Sequence, residues 1–408
     1  MLPNAIDTKR VEKPALLYSR GILFDIFHYF AHNIKDKYAY SIDIFLILYY
    51  NLRENNGGKE MRSFNYSAFK EQKWDSDILG LIAAIYKEAG KQEQYLKQRP
   101  QEMEKLIEIA KIQSTEASNA IEGIVTTSTR IKQLVEEKTT PRNRDEQEIA
   151  GYRDVLNVIH ESFDAIPITQ NYILQLHKML YSHMNNPLAG RPKSVQNYIS
   201  AAYPDGHTEI LFTPLAPYET SEALDRICEE YNRVIGNLEV EPLIIIPIFI
   251  HDFLCIHPFN DGNGRMSRLL TTLLLYQNGF YIGKYISLEA KISKDKDLYY
   301  SALSQSQMGW HEGKEDALPF IKYILGTILA SYKDFEERTS LVQEKLPALE
   351  MVRMASKSKI GRFNKQDIRE LCPTLSDSSI EGALRKLVAA GELKKEGKGK
   401  STCYFRLN

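Results

Sequence analysis

Apolar residues recur at helical spacing over most of the chain. From residue 75 onward they follow an i, i+3, i+4 pattern, as in the stretch 103–121, where Gly123 fits the position after a helix end. The stretch 241–256 is apolar nearly all round, which predicts a central buried helix. The same pattern, with capping and breaking residues at its ends, predicts further helices at 145–163, 170–184, 218–235, 264–277, 365–371 and 377–390.

One segment, 190–217, interrupts the helical pattern. It is rich in proline and glycine and holds two short runs of β-forming residues, 194–201 and 208–213. Between them stands Tyr203-Pro204-Asp205-Gly206, a typical turn sequence. The pattern predicts a single β-hairpin inserted in a helical domain.

The C-terminal part has a pattern of its own. Two predicted helices are followed by a predicted hairpin, whose arms are Leu393-Lys394-Lys395 and Cys403-Tyr404-Phe405-Arg406-Leu407 and whose basic tip is Gly397-Lys398-Gly399-Lys400. Helix, turn, helix and hairpin in this order predict a winged helix-turn-helix domain. Residues 350–408 hold 13 Lys and Arg against 7 Asp and Glu, whereas the whole chain has a net charge of -1. DNA is therefore one predicted partner, and a protein partner is the alternative that the sequence leaves open.

Cysteine usage and hydropathy limit the class of protein. The four cysteines are scattered without a Cys-x-x-Cys pair, which favours a reducing compartment and a cytoplasmic location. The apolar runs 44–50 and 243–256 are shorter than the roughly 20 residues needed to span a bilayer, so no membrane partner is expected. The first residues lack the apolar stretch of a signal peptide.

The segment His257–Arg268, with the sequence HPFNDGNGRMSR, concentrates the candidate chemistry. Gly262-Asn263-Gly264 stands directly before a predicted helix, whose unpaired N–H groups favour an anion. Arg265 and Arg268 lie three residues apart and can reach one polyphosphate. Asp261 suits Mg²⁺, which takes one or two carboxylates together with phosphate oxygens. The ring of His257 can accept a proton beside such a phosphate.

This segment resembles the signature of Fic proteins, His-x-Phe-x-Asp/Glu-Gly-Asn-Gly-Arg-x-x-Arg. The similarity in pattern extends over roughly residues 60–340, and it includes the Gly190-Arg191 start of the hairpin and its Thr213-Pro214 end. Every specified position of the signature is matched, by His257, Phe259, Asp261, Gly262, Asn263, Gly264, Arg265 and Arg268.

The resemblance implies a protein adenylyltransferase, which transfers AMP from ATP to a Ser, Thr or Tyr hydroxyl of a target protein or of itself. His257 would deprotonate that hydroxyl, and Asp261 would bind Mg²⁺. The hairpin around 195–213 resembles the family's flap, which binds the target segment by strand addition.

The resemblance also implies how the nucleotide is held. Gly262, Asn263 and Gly264 would form the anion hole, Arg265 would support the α- and β-phosphates, and Arg268 the γ-phosphate. The adenine pocket would be lined by Tyr299 or Tyr300, although a pair of tyrosines most often reflects plain helix packing.

A second motif, Ser118-Asn119-Ala120-Ile121-Glu122-Gly123, ends the predicted helix over 103–121. A carboxylate there meets the negative end of the helix dipole, which is unfavourable unless a cation compensates it. The stretch resembles the inhibitory helix of Fic proteins, Ser/Thr-x-x-x-Glu-Gly/Asn. The resemblance implies that Glu122 pairs with Arg268, with Ser118 one turn before it, and inhibits the chain. It leaves open whether the site also removes AMP.

The predicted architecture is mainly α: a Fic-type helical bundle with one β-hairpin flap, and a C-terminal winged-helix domain. The predicted divisions are an N-terminal extension of unclear role (1–58), a helical region with the inhibitory helix (59–165), a catalytic core (166–345) and the winged-helix domain (346–408). An alternative function is a nucleotide-sensing, DNA-binding regulator built on a Fic fold. The oligomeric state stays open, with a homodimer among the alternatives.

Overall fold

The computed structural model describes residues 62–98, 100–136, 138–202, 207–343, 347–359, 361–372, 375–397, 399 and 402–406. The predicted extension 1–58 and the predicted turn 203–206 lie outside the described residues. Within the described part, the fold is mainly helical with few short strands, and the predicted fold class is confirmed.

Fourteen α-helices run through the described part of the chain. The bounds predicted for the helices 145–163, 218–235, 241–256 and 264–277 lie within one residue of the observed bounds. The helix predicted over 170–184 begins at Gln170 as predicted but ends at Leu180, because the chain closes there into tighter turns, in which the Ser182 N–H donates to the Met179 carbonyl at 3.0 Å. The helices are α1 Ser76–Gln98, α2 Pro100–Ile121, α3 Ser128–Glu136, α4 Arg144–Ser162, α5 Gln170–Leu180, α6 Pro217–Gly236, α7 Pro242–Ile256, α8 Asn263–Gln277, α9 Leu288–Lys294, α10 Lys296–Gln307, α11 Leu318–Gln343, α12 Ala348–Ser358, α13 Lys365–Leu371 and α14 Asp377–Ala389.

Helix α7 is the centre of the bundle, as its apolar sequence predicts. Every residue from Leu243 to Ile256 is buried, and the helix packs against α6, α8, α10 and α11. Pro242 occupies a first-turn position, where a missing N–H costs nothing. Because α7 is enclosed on all sides, the residue at its end, His257, projects from a rigid support.

A buried carboxylate fixes α7 from the side. Asp252 accepts hydrogen bonds from Trp310 Nε1 at 2.6 Å and from the Tyr66 hydroxyl at 2.9 Å, and Arg62 lies 3.6 Å away. A buried carboxylate needs such partners, since leaving it unpaired would be costly. These contacts give Asp252 a structural role.

The hairpin consists of β1 Ile199–Ala202 and β2 Thr208–Phe212, paired antiparallel with Ala202 opposite Thr208. The prediction of a strand from 194 is wrong by five residues. The preceding residues are held by side-chain hydrogen bonds instead: Asn197 donates to the loop after α7, and Gln196 donates to the Pro214 carbonyl at 3.1 Å.

The base of the hairpin is fastened to the bundle. The Phe212 ring stacks on His311 with centroids 5.4 Å apart, and His311 Nε2 lies 2.8 Å from the Thr213 carbonyl. By contrast, Tyr198, Ile210 and Leu211 are exposed. The hairpin therefore presents apolar side chains to solvent from an anchored base.

The C-terminal residues have a hydrophobic core of their own. It is formed by α12, α13, α14 and the hairpin of β3 Leu393–Glu396 and β4 Cys403–Arg406. Asn364 caps α13 by accepting from the Asp367 N–H at 3.0 Å. The winged-helix assignment and the boundary at 346 stay predictions.

Ion pairs occupy the exposed face of α14. Lys365 pairs with Glu381 at 2.8 Å and Arg369 with Asp377 at 3.1 Å, so part of the positive charge is neutralised locally. Lys398 and Lys400 lie outside the described residues. Contact with DNA therefore stays a prediction. No helix in the described part of the chain has the length and apolar character to cross a membrane.

Candidate active site

His257 stands at the end of α7 in a left-handed conformation, with φ 51° and ψ 63°. Its Nδ1 lies 3.2 Å from the Leu254 carbonyl, which can only accept, so Nδ1 carries the proton and Nε2 keeps its lone pair. Burial lowers the pKa of His257 to about 4. The ring is therefore neutral at pH 7 and able to accept a proton.

Two residues from the start of the hairpin brace the loop that follows His257. The buried Lys193 ammonium donates to the Ile256 carbonyl at 3.0 Å and to Asn197 Oδ1 at 2.9 Å. Asn197 Nδ2 in turn donates to the Phe259 carbonyl at 2.9 Å. Burial lowers the pKa of Lys193 to about 7, while its place at the carbonyl end of α7 favours the cation. The sequence gives no pattern that would identify either residue.

The loop also closes on itself. Asn263 Nδ2 donates to the Phe259 carbonyl at 2.7 Å, and the Phe259 N–H donates to Asn263 Oδ1 at 2.9 Å. The His177 ring stacks on Phe259 at 3.7 Å, and its Nε2 donates to the Asp261 carbonyl at 3.0 Å. The Asn263 side chain thus shapes the loop. The groups of this segment that remain available to bind an anion are its backbone N–H groups.

Helix α8 begins directly after Gly262, which has φ 82°. A Cβ at Gly262 would lie 3.0 Å from the Tyr181 hydroxyl, so the position needs glycine for both its conformation and its space. The first-turn N–H groups of α8 have no acceptor within the helix. The Glu122 carboxylate lies against Gly264 in this turn, so close that a Cβ there would overlap Glu122 Oε1. A carboxylate of the chain itself therefore lies beside the predicted anion site.

The same carboxylate reaches Arg268, as the sequence predicts. Arg268 is 4% exposed and donates to Glu122 Oε1 at 2.7 Å, to the Ser118 hydroxyl at 2.8 Å and to the Ser118 carbonyl at 2.9 Å. A second cation, Lys296, donates to the Ile121 carbonyl at 2.7 Å at the end of α2. These two cations compensate the unfavourable place of Glu122 at a helix C-terminus.

Arg265 and Asp261 differ strongly in exposure. The Arg265 side chain is 1% exposed and is held inside the fold, 2.6 Å from Glu148. The Asp261 side chain is 58% exposed, and its Oδ1 accepts from the Gly262 N–H at 2.6 Å. An exposed carboxylate beside an anion site fits Mg²⁺. In the described part no three His, Cys, Asp or Glu side chains cluster, so the remaining ligands there would be phosphate oxygens and water.

The two candidate adenine-site tyrosines differ in exposure. Tyr299 is buried against Phe320 and Tyr323, with ring centroids at 5.9 and 5.6 Å. Tyr300 is 41% exposed and lies 5.6 Å below Lys296. Of the two, Tyr300 has the accessible ring, and its contact with adenine stays a prediction.

Four histidines with lowered pKa values predict a pH-dependent stability. Burial lowers the pKa of His257 and His177 to about 4 and that of His160 to about 3, from an ordinary value of 6.5, and it also lowers the pKa of His251. Below pH 6.5 these histidines take up protons in the unfolded chain but not in the folded chain, so stability is lost as the pH falls from 6.5 toward 4. We expect the Tm to fall continuously across this window, with a shallower slope for His160→Phe. A Tm that stays constant down to pH 4 in both proteins would contradict this.

Comparison with known proteins places these features in a family. Residues 167–275 match the model of the Fic/DOC family. The chain is 28% identical over 234 residues to the protein adenylyltransferase Fic of Nematostella vectensis, a match covering 54% of this chain and 48% of the relative. It is 26% identical over 186 residues to the protein adenylyltransferase fic-1 of Caenorhabditis elegans, covering 44% and 32%. The chain thus spans about half or less of the length of these relatives.

Solved structures support the fold. A Fic family protein from Desulfovibrio desulfuricans G20 superposes with a TM-score of 0.54 at 20% identity, covering 83% of this chain and 98% of that one. A Fic domain-containing signaling protein from Bacteroides thetaiotaomicron VPI-5482 gives a TM-score of 0.51 at 22% identity, covering 64% and 96%. The hairpin, α7 and most of α8 fall within residues 167–275, the part of this chain that matches the Fic/DOC family model.

Proposed function

We propose that this chain is a protein adenylyltransferase that transfers AMP from ATP to a hydroxyl group of a protein, and that Glu122 inhibits it. One observation carries the proposal: the Glu122 carboxylate lies over the first turn of α8 and is bound by Arg268, where the terminal phosphate of a nucleotide would bind. Two curated relatives are named protein adenylyltransferases, which supports the AMP-transfer part of the proposal.

The chemistry follows from the site's groups. Nε2 of the neutral His257 accepts the proton of the target hydroxyl, whose oxygen attacks the α-phosphorus of ATP. The bond between the α-phosphorus and the bridging oxygen breaks, and pyrophosphate leaves. The first-turn N–H groups of α8 and Arg268 stabilise the negative charge on the phosphates. Asp261 would hold Mg²⁺, which supplies further charge neutralisation there.

The hairpin would present the target segment. Its two strands form a sheet of their own, and Ile210 and Leu211 are exposed next to its anchored base. An extended peptide can add to such a strand through main-chain hydrogen bonds. This supports a protein target, whose identity the site does not specify.

The position of a label in ATP tests the proposal. The Glu122→Gly variant is incubated with Mg²⁺ and ATP labelled at either the α- or the γ-phosphate, with cell lysate as the source of targets. AMP transfer leaves the α-label on protein and releases the γ-label. Retention of the γ-label would indicate phosphate transfer instead, and no protein labelling with either would favour the regulator alternative.

Lys296 should contribute to the inhibition. Lys296→Met removes the charge that holds the Ile121 carbonyl while keeping an unbranched side chain. A cation at a helix C-terminus contributes about 0.3–1 kcal/mol, so AMP transfer should rise about two- to fivefold over wild type. Lys294→Met is the matched control, because Lys294 faces Glu370 at 3.8 Å instead of α2. Equal rates in the two variants would show that the capping contact does not hold Glu122.

A further inference from the structure

A buried glutamate outside the signature joins the site from α4. Glu148 is buried, and its two carboxylate oxygens have different partners. Oε2 lies 2.6 Å from Arg265 Nη1, and Oε1 accepts from Arg144 Nε at 2.9 Å. The Arg144 side chain is 71% exposed, so the partner inside the fold is Arg265. No sequence motif points to Glu148, which lies 117 positions before Arg265 in the chain.

Arg265 connects Glu148 to the candidate metal carboxylate. Its Nη2 donates to the Tyr181 hydroxyl at 2.8 Å and lies 3.7 Å from Asp261 Oδ1. A single guanidinium is thus shared between two carboxylates, with the shorter contact to the buried one.

The charge of Glu148 decides where Arg265 is held. Arg265 stands in the first turn of α8, where a cation opposes the helix dipole, and it is withdrawn from water, so it requires a close anion. Without the charge of Glu148, the carboxylate that remains within reach of Arg265 is that of Asp261. The guanidinium would then compete with a divalent cation for Asp261.

We propose that Glu148 is a positioning residue that holds Arg265 away from Asp261, so that the Asp261 carboxylate stays available to a divalent cation. This inference rests on the proposed function, since it assigns Mg²⁺ and ATP to the site. It concerns metal binding and not the proton transfer at His257.

The test measures nucleotide binding in place of activity. ATP binding to Glu122→Gly and to Glu122→Gly/Glu148→Gln is measured by calorimetry over a series of Mg²⁺ concentrations. Loss of a residue that orients a metal ligand typically weakens metal affinity at least tenfold, so the second protein should need about tenfold more Mg²⁺ for half-maximal ATP binding. Arg144→Gln, which removes the exposed partner of Glu148, is the matched control and should shift this concentration by less than about twofold.

A second substitution separates positioning from a merely structural role. Arg265→Met, made alone and together with Glu148→Gln, supplies the second comparison, and because Arg265 is also a predicted phosphate contact the single variant is the reference for the double one. Glu148→Gln should raise the Mg²⁺ requirement when Arg265 is present and leave it unchanged in the Arg265→Met background. A folded Glu148→Gln protein with an unchanged requirement, or an equal shift in both backgrounds, would overturn the proposal. If Glu148→Gln does not fold, Glu148→Asp replaces it: a shift in the same direction supports the proposal and no shift overturns it. Absence of ATP binding in every protein, parent included, would instead count against the proposed function.

Discussion

The Glu122→Gly variant is expected to transfer AMP about 10- to 100-fold faster than the wild-type chain. In the wild type, a productive γ-phosphate must displace the Glu122 carboxylate from Arg268, which it contacts at 2.7 Å, and from the first turn of α8. A hydrogen bond to a charged group contributes about 1.5–3 kcal/mol, and each 1.36 kcal/mol changes a rate about tenfold. Initial rates of transfer from α-labelled ATP at fixed Mg²⁺ measure the effect.

The gain should come from the lost carboxylate and not from a weakened helix. Glu122 lies just beyond the last residue of α2, so glycine there removes no helical turn. Glu108→Gly, at an exposed position in the middle of α2, weakens the helix by about 1 kcal/mol without changing the contact to Arg268. Transfer by Glu108→Gly as fast as that by Glu122→Gly would mean that loosening of α2, and not the charge, limits the rate.

His257→Ala, made in the Glu122→Gly background, is expected to lower AMP transfer about 10²- to 10⁴-fold, the usual contribution of a positioned general base. The variant loses the Nε2 lone pair that the Nδ1 contact to Leu254 directs away from the helix end. Because the phosphates are bound by α8 and Arg268, ATP affinity should change little. Calorimetry with ATP and initial rates of label transfer, measured on the same protein, separate the two effects.

A second histidine supplies the control for His257→Ala. His183, whose ring lies 2.6 Å from Asp154, is also partly buried, and His183→Ala should leave the transfer rate within about twofold of the parent. A His257→Ala protein that binds ATP and still transfers AMP at the parent rate would exclude this residue as the base. With Nε2 neutral and the pKa lowered to about 4, the parent rate should also show no histidine titration near pH 6.5.

The parts of the fold that the sequence predicts well are those set by local signals. Helix α14 begins where Ser376 accepts from the Ser379 N–H, and α7 is buried because its residues are apolar on every face. The start of the hairpin is predicted wrongly, since residues before Ile199 look like a strand by composition. Their conformation is set instead by hydrogen bonds from Asn197 to a loop about 60 residues away.

The candidate site likewise has residues that the local sequence identifies and residues that only distant contacts reveal. The signature from His257 to Arg268 is contiguous, so its anion-binding and proton-accepting groups can be named from the sequence, and the need of Glu122 for a compensating cation follows from the helix dipole. The resemblance names Arg268 as that cation. The contacts of Lys193 with the Ile256 carbonyl and of Glu148 with Arg265 could not be predicted, because they join elements far apart in the chain. Glu148 stands between Gln147 and Ile149 in a polar stretch, so no local pattern identifies it in the sequence.

Competition between Glu122 and the nucleotide for Arg268 is measured by a double-mutant cycle. Initial rates of transfer from α-labelled ATP are compared for the wild type, Glu122→Gly, Arg268→Ala and the double variant. We predict that Glu122→Gly accelerates transfer about 10- to 100-fold when Arg268 is present and gives no acceleration in the Arg268→Ala background. The same acceleration in both backgrounds would contradict it, because Glu122 would then inhibit through a contact other than Arg268.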